Sequence, residues 1–106
     1  MGRIVVVGYK PKPGKDSDLE ALMATHIPIL REEGLLTDRE SIIMRSEDGT
    51  IIEVFEWKSK EAIESAHSNP MVQEMWHEFS SVCDYVPVAQ VTELSSIFSE
   101  FAPLNQ

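Results

Sequence analysis

Residues Glu40–Trp57 read ESIIMRSEDGTIIEVFEW, two apolar runs on either side of Asp48-Gly49. An Asp-Gly pair favours the positive φ angles of a tight turn, and the flanking runs are rich in β-branched and aromatic residues, so the stretch predicts a β-hairpin. Upstream, Arg3–Tyr9 (RIVVVGY) reads as a strand apolar on both faces. KPKPGKD then interrupts the chain with two prolines and a glycine. Ser17 and Glu20 have the spacing of a capping box, and Leu19, Leu22, Met23, His26, Ile29 and Leu30 follow at the three-and-four rhythm of one helical face. Gly34 is a plausible stop for this helix.

Downstream of the hairpin, Ser59 is placed to cap a short helix running to His67. Asn69-Pro70 then starts another, because proline at a first helical position forfeits no hydrogen bond. The apolar positions Met71, Val72, Met75, Trp76, Phe79, Val82 and Cys83 carry this segment to about Cys83, with Gln73, Glu74, His77 and Glu78 opposite. YVPVAQVTEL reads as a last strand in which Pro87 removes one donor, which suits an edge or a bulge. The order is βαββαβ with a broken second helix: an α+β, ferredoxin-like, four-stranded antiparallel sheet with its helices on one face, in a single domain. The first and last strands are apolar on both sides, so the face without helices needs a cover. Two such sheets packed face to face in a symmetric homodimer would supply it. The tail 95–106, with Phe98, Phe101 and Leu104, is expected to dock as a short helical turn on its own subunit or on the partner.

Nine basic residues against eighteen acidic ones give a net charge of −9, a field that repels phosphate backbones and anionic lipid heads, so neither a nucleic acid nor a membrane is an expected partner. The longest N-terminal apolar run, IVVV, is too short for a signal peptide or a membrane span, and a cytoplasmic location is expected. Cys83 is the sole cysteine, which excludes an internal disulfide, and its place in an apolar stripe points to packing.

Glu53–Pro70, EVFEWKSKEAIESAHSNP, resembles the strand-to-helix signature of the dimeric α+β barrel superfamily, in particular its antibiotic-biosynthesis-monooxygenase-like group, and the likeness runs loosely from Arg3 to Leu94. The resemblance implies a pocket between helices and sheet in each subunit. The superfamily includes cofactor-independent oxygenases of polycyclic aromatics, haem-degrading enzymes and many proteins without an assigned reaction. The haem-degrading pattern of asparagine, tryptophan and histidine meets Val6 or Val7, Ala66 or His67, and Trp76 beside His77, so haem degradation is disfavoured.

The segment HIPIL, His26–Leu30, places a histidine on the apolar stripe and a proline two residues later. Pro28 cannot donate to Ala24 and should kink the helix, opening space beside an imidazole able to bind or transfer a proton. The alternative is that the His26 ring bonds the freed carbonyl or another backbone group. Phe55, Trp57 and Trp76, with Met23 on the His26 stripe, are the surfaces a hydrophobic ligand would meet, although large aromatics also serve simply as core. Glu53 and Glu56 lie on opposite faces of one strand. The inward one could act as a base or pair with Arg45 across the hairpin. His67 suits a helix C-terminus, and His77 is expected to be exposed. No metal-ligand spacing, nucleophile elbow or phosphate-binding glycine pattern occurs, so no metal, nucleotide or flavin cofactor is implied.

Two function classes follow. One, implied by the resemblance, is a cofactor-independent monooxygenase-like enzyme in which His26 would exchange a proton with a hydrophobic substrate whose carbanion reacts with oxygen. The other is a non-catalytic dimer that binds a small ligand or serves only structure.

Overall fold

The β-branched run after Gly2 forms β1 (Arg3–Pro11), and the hairpin around Gly49 joins β2 (Ile42–Arg45) to β3 (Ile51–Trp57) in a computed structural model that describes residues 1–105. The helices are α1 (Asp16–Glu32), α2 (Lys60–Ala66) and α3 (Pro70–Ser80), and β4 (Cys83–Val86) follows α3. With β5 (Ala102–Pro103), the strand order is β4-β1-β3-β2-β5, every pairing antiparallel. This is the α+β, ferredoxin-like arrangement expected, with a fifth strand, Ala102–Pro103, at the β2 edge.

Local chemistry sets most boundaries. The Asp48 carboxylate accepts hydrogen bonds from the Ser46 hydroxyl at 2.6 Å and the Thr50 amide at 2.9 Å, closing a turn in which Gly49 takes φ 93°. Ser59 accepts the Ala62 amide, and Asn69 accepts the amides of Met71 and Val72, so both caps stand where expected. The Ser17–Glu20 capping box does not form. The turn through Gly14, closed by the Lys15 amide on the Lys12 carbonyl, starts α1 at Asp16 and draws Ser17 inside it. Pro28 lies inside a helix assigned without a break over 17 residues.

Four other expectations are corrected. Helix α3 stops at Ser80, and Cys83 opens β4 instead of closing the helix. Strand β4 ends at Val86, because Pro87 has no N–H to extend the ladder and caps a 3-10 turn over Val88–Gln90, followed by another over Thr92–Ser95. The tail adds a strand in place of a helical turn: the Asn105 side chain accepts the Ile43 amide and donates to the Ser41 carbonyl, pinning the segment along β2. Leu104 packs against the core, but Phe98 is 87% exposed and not docked on its own chain. Gln106, the end of the expected tail, lies outside the described residues.

Antiparallel register assigns the faces, since paired residues share a side and alternate residues do not. Val5, Val7 and Tyr9 share the helix face with Phe55, Glu53 and Ile51. There Leu19, Met23 and Leu30 of α1 and Val72, Met75 and Phe79 of α3 complete the core. The other face carries Ile4, Val6, Val54, Ile42 and Met44. Because β4 and β5 occupy opposite edges, the chain from Pro87 must cross from one to the other. Val88–Gln90 packs against β1, and the Glu93 carboxylate accepts the Glu47 amide at 2.9 Å. A side chain at Gly8 would meet the Val86 carbonyl 2.6 Å away, so this position must be glycine for the chain to leave β4 there. This strap shelters one end of the face: Ile52 is fully buried, whereas Ile4, Val6 and Ile42 are 56%, 50% and 53% exposed.

The hydrogen bond from Ser46, followed by that from the Thr50 amide, holds the Asp48 carboxyl below its usual range. A lowered folded-state value contributes stability above the unfolded value, and this is lost as pH falls through the folded one. The stability gap between wild type and Asp48→Asn at pH 7 should therefore narrow below pH about 4, as denaturant titrations across the acid range would read.

Candidate functional site

Glu53 sits mid-strand on the helix face with zero exposure, directly across from Val7 and Ile43. A carboxylate taken out of water needs donors or a counter-charge. The Tyr9 hydroxyl donates to Glu53 Oε1 at 2.8 Å, and His26 Nδ1 lies 2.8 Å from the same oxygen. The His26 approach is close enough for charge attraction but is not aligned as a hydrogen bond, so Nδ1 and Glu53 Oε2 are both buried without a hydrogen-bonded partner among the described residues. At that distance a protonated Nδ1 is attracted to the carboxylate oxygen and a bare one is repelled. Burial first, and the Glu53 charge second, push the Tyr9 phenol far above its usual range, so it stays a donor.

The partner of Glu53 is thus not Arg45, which reaches Glu20 at 3.3 Å. Nor does His26 bond the carbonyl freed by Pro28; its buried nitrogen faces the carboxylate. Glu56, on the opposite face, accepts from Thr37 at 2.8 Å and from Arg39 at 2.9 Å, and these two bonds, Thr37 first, lower its carboxyl.

His26 presents its ring to a cavity of about 330 Å³ lined by Val5, Val7, Tyr9, Phe55, Trp57, Trp76 and Tyr85. Four further elements contribute to it: β1 through alternate residues, β3 through Phe55 and Trp57, α3 through Trp76 and β4 through Tyr85. The His26 ring stands edge-on to Phe55 at 5.4 Å and to Phe79 at 5.5 Å, and Phe55 meets Trp57 at 5.5 Å. Such a cavity has apolar aromatic walls and one ionisable end, the form small-molecule sites take. A wider cleft of about 660 Å³ opens at the hairpin end among Asp16, Glu47, Asp48, Glu93 and Glu100, but no buried ionisable cluster faces it.

The structure brings His26, Phe55, Trp57 and Trp76 to this one cavity. Met23 instead lies in the core, 3% exposed, and is not one of its walls. Tyr9, Tyr85 and the Glu53 partnership escaped the sequence reading. Pairing RIVVVGY antiparallel to IIEVFEW, with Val5 opposite Phe55, would have placed Tyr9 on the Glu53 face. His67 closes α2, its Nδ1 on the Ile63 carbonyl at 3.0 Å and its ring edge-on to Trp76 at 5.3 Å; His77 is exposed. The Cys83 thiol contacts the Phe79 carbonyl, and burial ahead of the Asp84 charge pushes it up to about 11. Among the described residues, no group of three or more His, Cys, Asp or Glu is placed to hold a metal ion, and no helix is long and apolar enough to cross a membrane.

No protein-family model matches the chain, and no curated protein does. Solved structures share its fold, among them the following two. One is SnoaB, a cofactor-independent oxygenase from Streptomyces nogalater, with TM-score 0.69 and 11% identity over 80% of this chain and 86% of that one. The other is Rv0793 from Mycobacterium tuberculosis, with TM-score 0.65 and 19% identity over 81% and 89%. At these identities the likeness is one of fold, the α+β arrangement of an antiparallel sheet with its helices on one face.

Removing the Tyr9 hydroxyl deprives a buried carboxylate of its one aligned donor. Tyr9→Phe should lower unfolding stability by about 1–3 kcal/mol, measured by urea denaturation; no loss would mean that water already serves Glu53.

Proposed function

We propose that the aromatic cavity takes a hydrophobic small molecule and that the protein is a cofactor-independent, monooxygenase-like enzyme. The observation that carries this reading is the buried His26–Glu53 pair at the ionisable end of an otherwise apolar cavity. SnoaB, a cofactor-independent oxygenase, supports it through the fold alone. In this mechanism His26 takes a proton from an acidic C–H of the substrate, and the electron pair of the broken bond stays on carbon. The carbanion reduces dioxygen and forms a C–O bond. His26 returns the proton to give a hydroperoxide, which loses water to leave a carbonyl. The aromatic walls exclude solvent while the carbanion persists.

The same proposal includes a homodimer. The half of the outer face that the strap leaves open exposes Ile4, Val6 and Ile42, and at the tip of the strap Ile97 and Phe98 are 96% and 87% exposed. A second copy packing sheet to sheet would cover such a patch. Non-catalytic ligand binding, the second reading, uses the same cavity and needs no proton transfer.

Native mass spectrometry of the freshly purified protein tests both parts. A mass of twice 12.0 kDa with an added small molecule is expected, and oxygen uptake with that molecule should fall at least tenfold in His26→Gln. A bare dimer, or turnover indifferent to His26, favours the binding reading; a monomer removes the sheet-to-sheet assembly. Val6→Lys, which puts a charge on the open patch, should yield monomer in the same measurement.

A further inference from the structure

A histidine that exchanges protons with a ligand must hold its ring in one orientation, and the residue placed to do so here lies outside the ligand's reach. We propose that Glu53 is the positioning residue of the cavity, and Tyr9 the residue that positions Glu53. Glu53 Oε1 holds the Nδ1 edge of His26, which turns Nε2 toward the ligand. This rests on the cavity reading above but not on oxygenation.

Three observations converge. Glu53 has zero exposure and is not one of the cavity walls, so whatever it does for a ligand passes through His26. Its Oε1 lies 2.8 Å from both the Tyr9 hydroxyl and His26 Nδ1, so a single oxygen ties β1 and α1 to the middle of β3. Among the described residues His26 Nδ1 has no aligned hydrogen bond, and the ring is otherwise held edge-on between Phe55 and Phe79. Aromatic packing restricts the ring but does not distinguish its two nitrogens, whereas a carboxylate on one edge does. With the Nδ1 edge committed to Glu53, Nε2 is left for the cavity. A ligand with an exchangeable proton at its polar end then shares that proton with Nε2: as its O–H bond breaks, an N–H bond forms. The imidazolium so made stands against the Glu53 carboxylate, which supplies the compensating charge. Tyr9 cannot take the proton in place of His26, because its phenol stays protonated.

The test compares two ligands of nearly equal shape, 2-naphthol and 2-methoxynaphthalene, by quenching of tryptophan fluorescence, since Trp57 and Trp76 both line the cavity. Wild type is expected to bind the naphthol at least tenfold more tightly than the ether. In Glu53→Gln that ratio should fall to within about threefold of unity, with ether affinity little changed, because the aromatic walls are intact. Tyr9→Phe should reduce the ratio to an intermediate value. A merely structural role for Glu53 would weaken both ligands together, and that result, or an unchanged ratio in Glu53→Gln, overturns the assignment. If wild type binds both ligands equally, the proton-sharing role fails while the cavity stands. If it binds neither, the cavity reading falls and this inference falls with it.

Discussion

The buried Glu53 carboxylate is the constraint around which the rest of the structure is arranged. It occupies the centre of β3 at zero exposure, where an unpaired charge would cost several kcal/mol. Two groups from different elements answer it, the Tyr9 hydroxyl from β1 and the His26 ring from α1. The register of β1 on β3 and the rotation of α1 about its axis are therefore fixed by one oxygen as well as by the core. A purely apolar core would have been the simpler solution at this position. The polar cluster instead leaves two buried atoms unaligned beside a cavity lined by aromatic residues, an arrangement that costs stability.

The two faces of the sheet divide the labour. The helix face supplies the cavity, with α1 contributing the ionisable side chain and β1, β3, α3 and β4 its walls. The opposite face is sheltered at one end by the strap that runs from Pro87 to β5 and is left apolar and open at the other. Pro87 serves both arrangements. By ending β4 after four residues it turns the chain into the strap, and it leaves Tyr85 near the end of a short edge strand, where its ring borders the cavity and meets Tyr9 at 5.4 Å.

Much of the fold was legible in the sequence because its punctuation is local. The Asp48-Gly49 turn, the Ser59 cap, the Asn69-Pro70 restart and the Gly34 stop each depend on residues within one turn of the boundary they set. Where a local rule failed, a neighbour had overridden it, as when the Gly14 turn started α1 early and took Ser17 out of capping position. The fifth strand was not legible: it depends on Asn105 bonding the backbone of Ser41 and Ile43, more than sixty residues away. The site divides in the same way. His26 and the aromatic residues stand out by type and by helical or strand period. The partner of Glu53 does not, because cross-strand register, not sequence proximity, decides between Arg45, which sits opposite Ile51, and the Tyr9–His26 pair.

The most direct measurement is the ¹⁵N spectrum of the imidazole rings in labelled protein, with His26 assigned by the signals lost in His26→Gln. A buried carboxylate that holds the ring through its inner edge predicts a proton on Nδ1 of His26. A ring protonated on Nε2 alone, with Nδ1 bare beside Glu53, would contradict that arrangement and the function built on it.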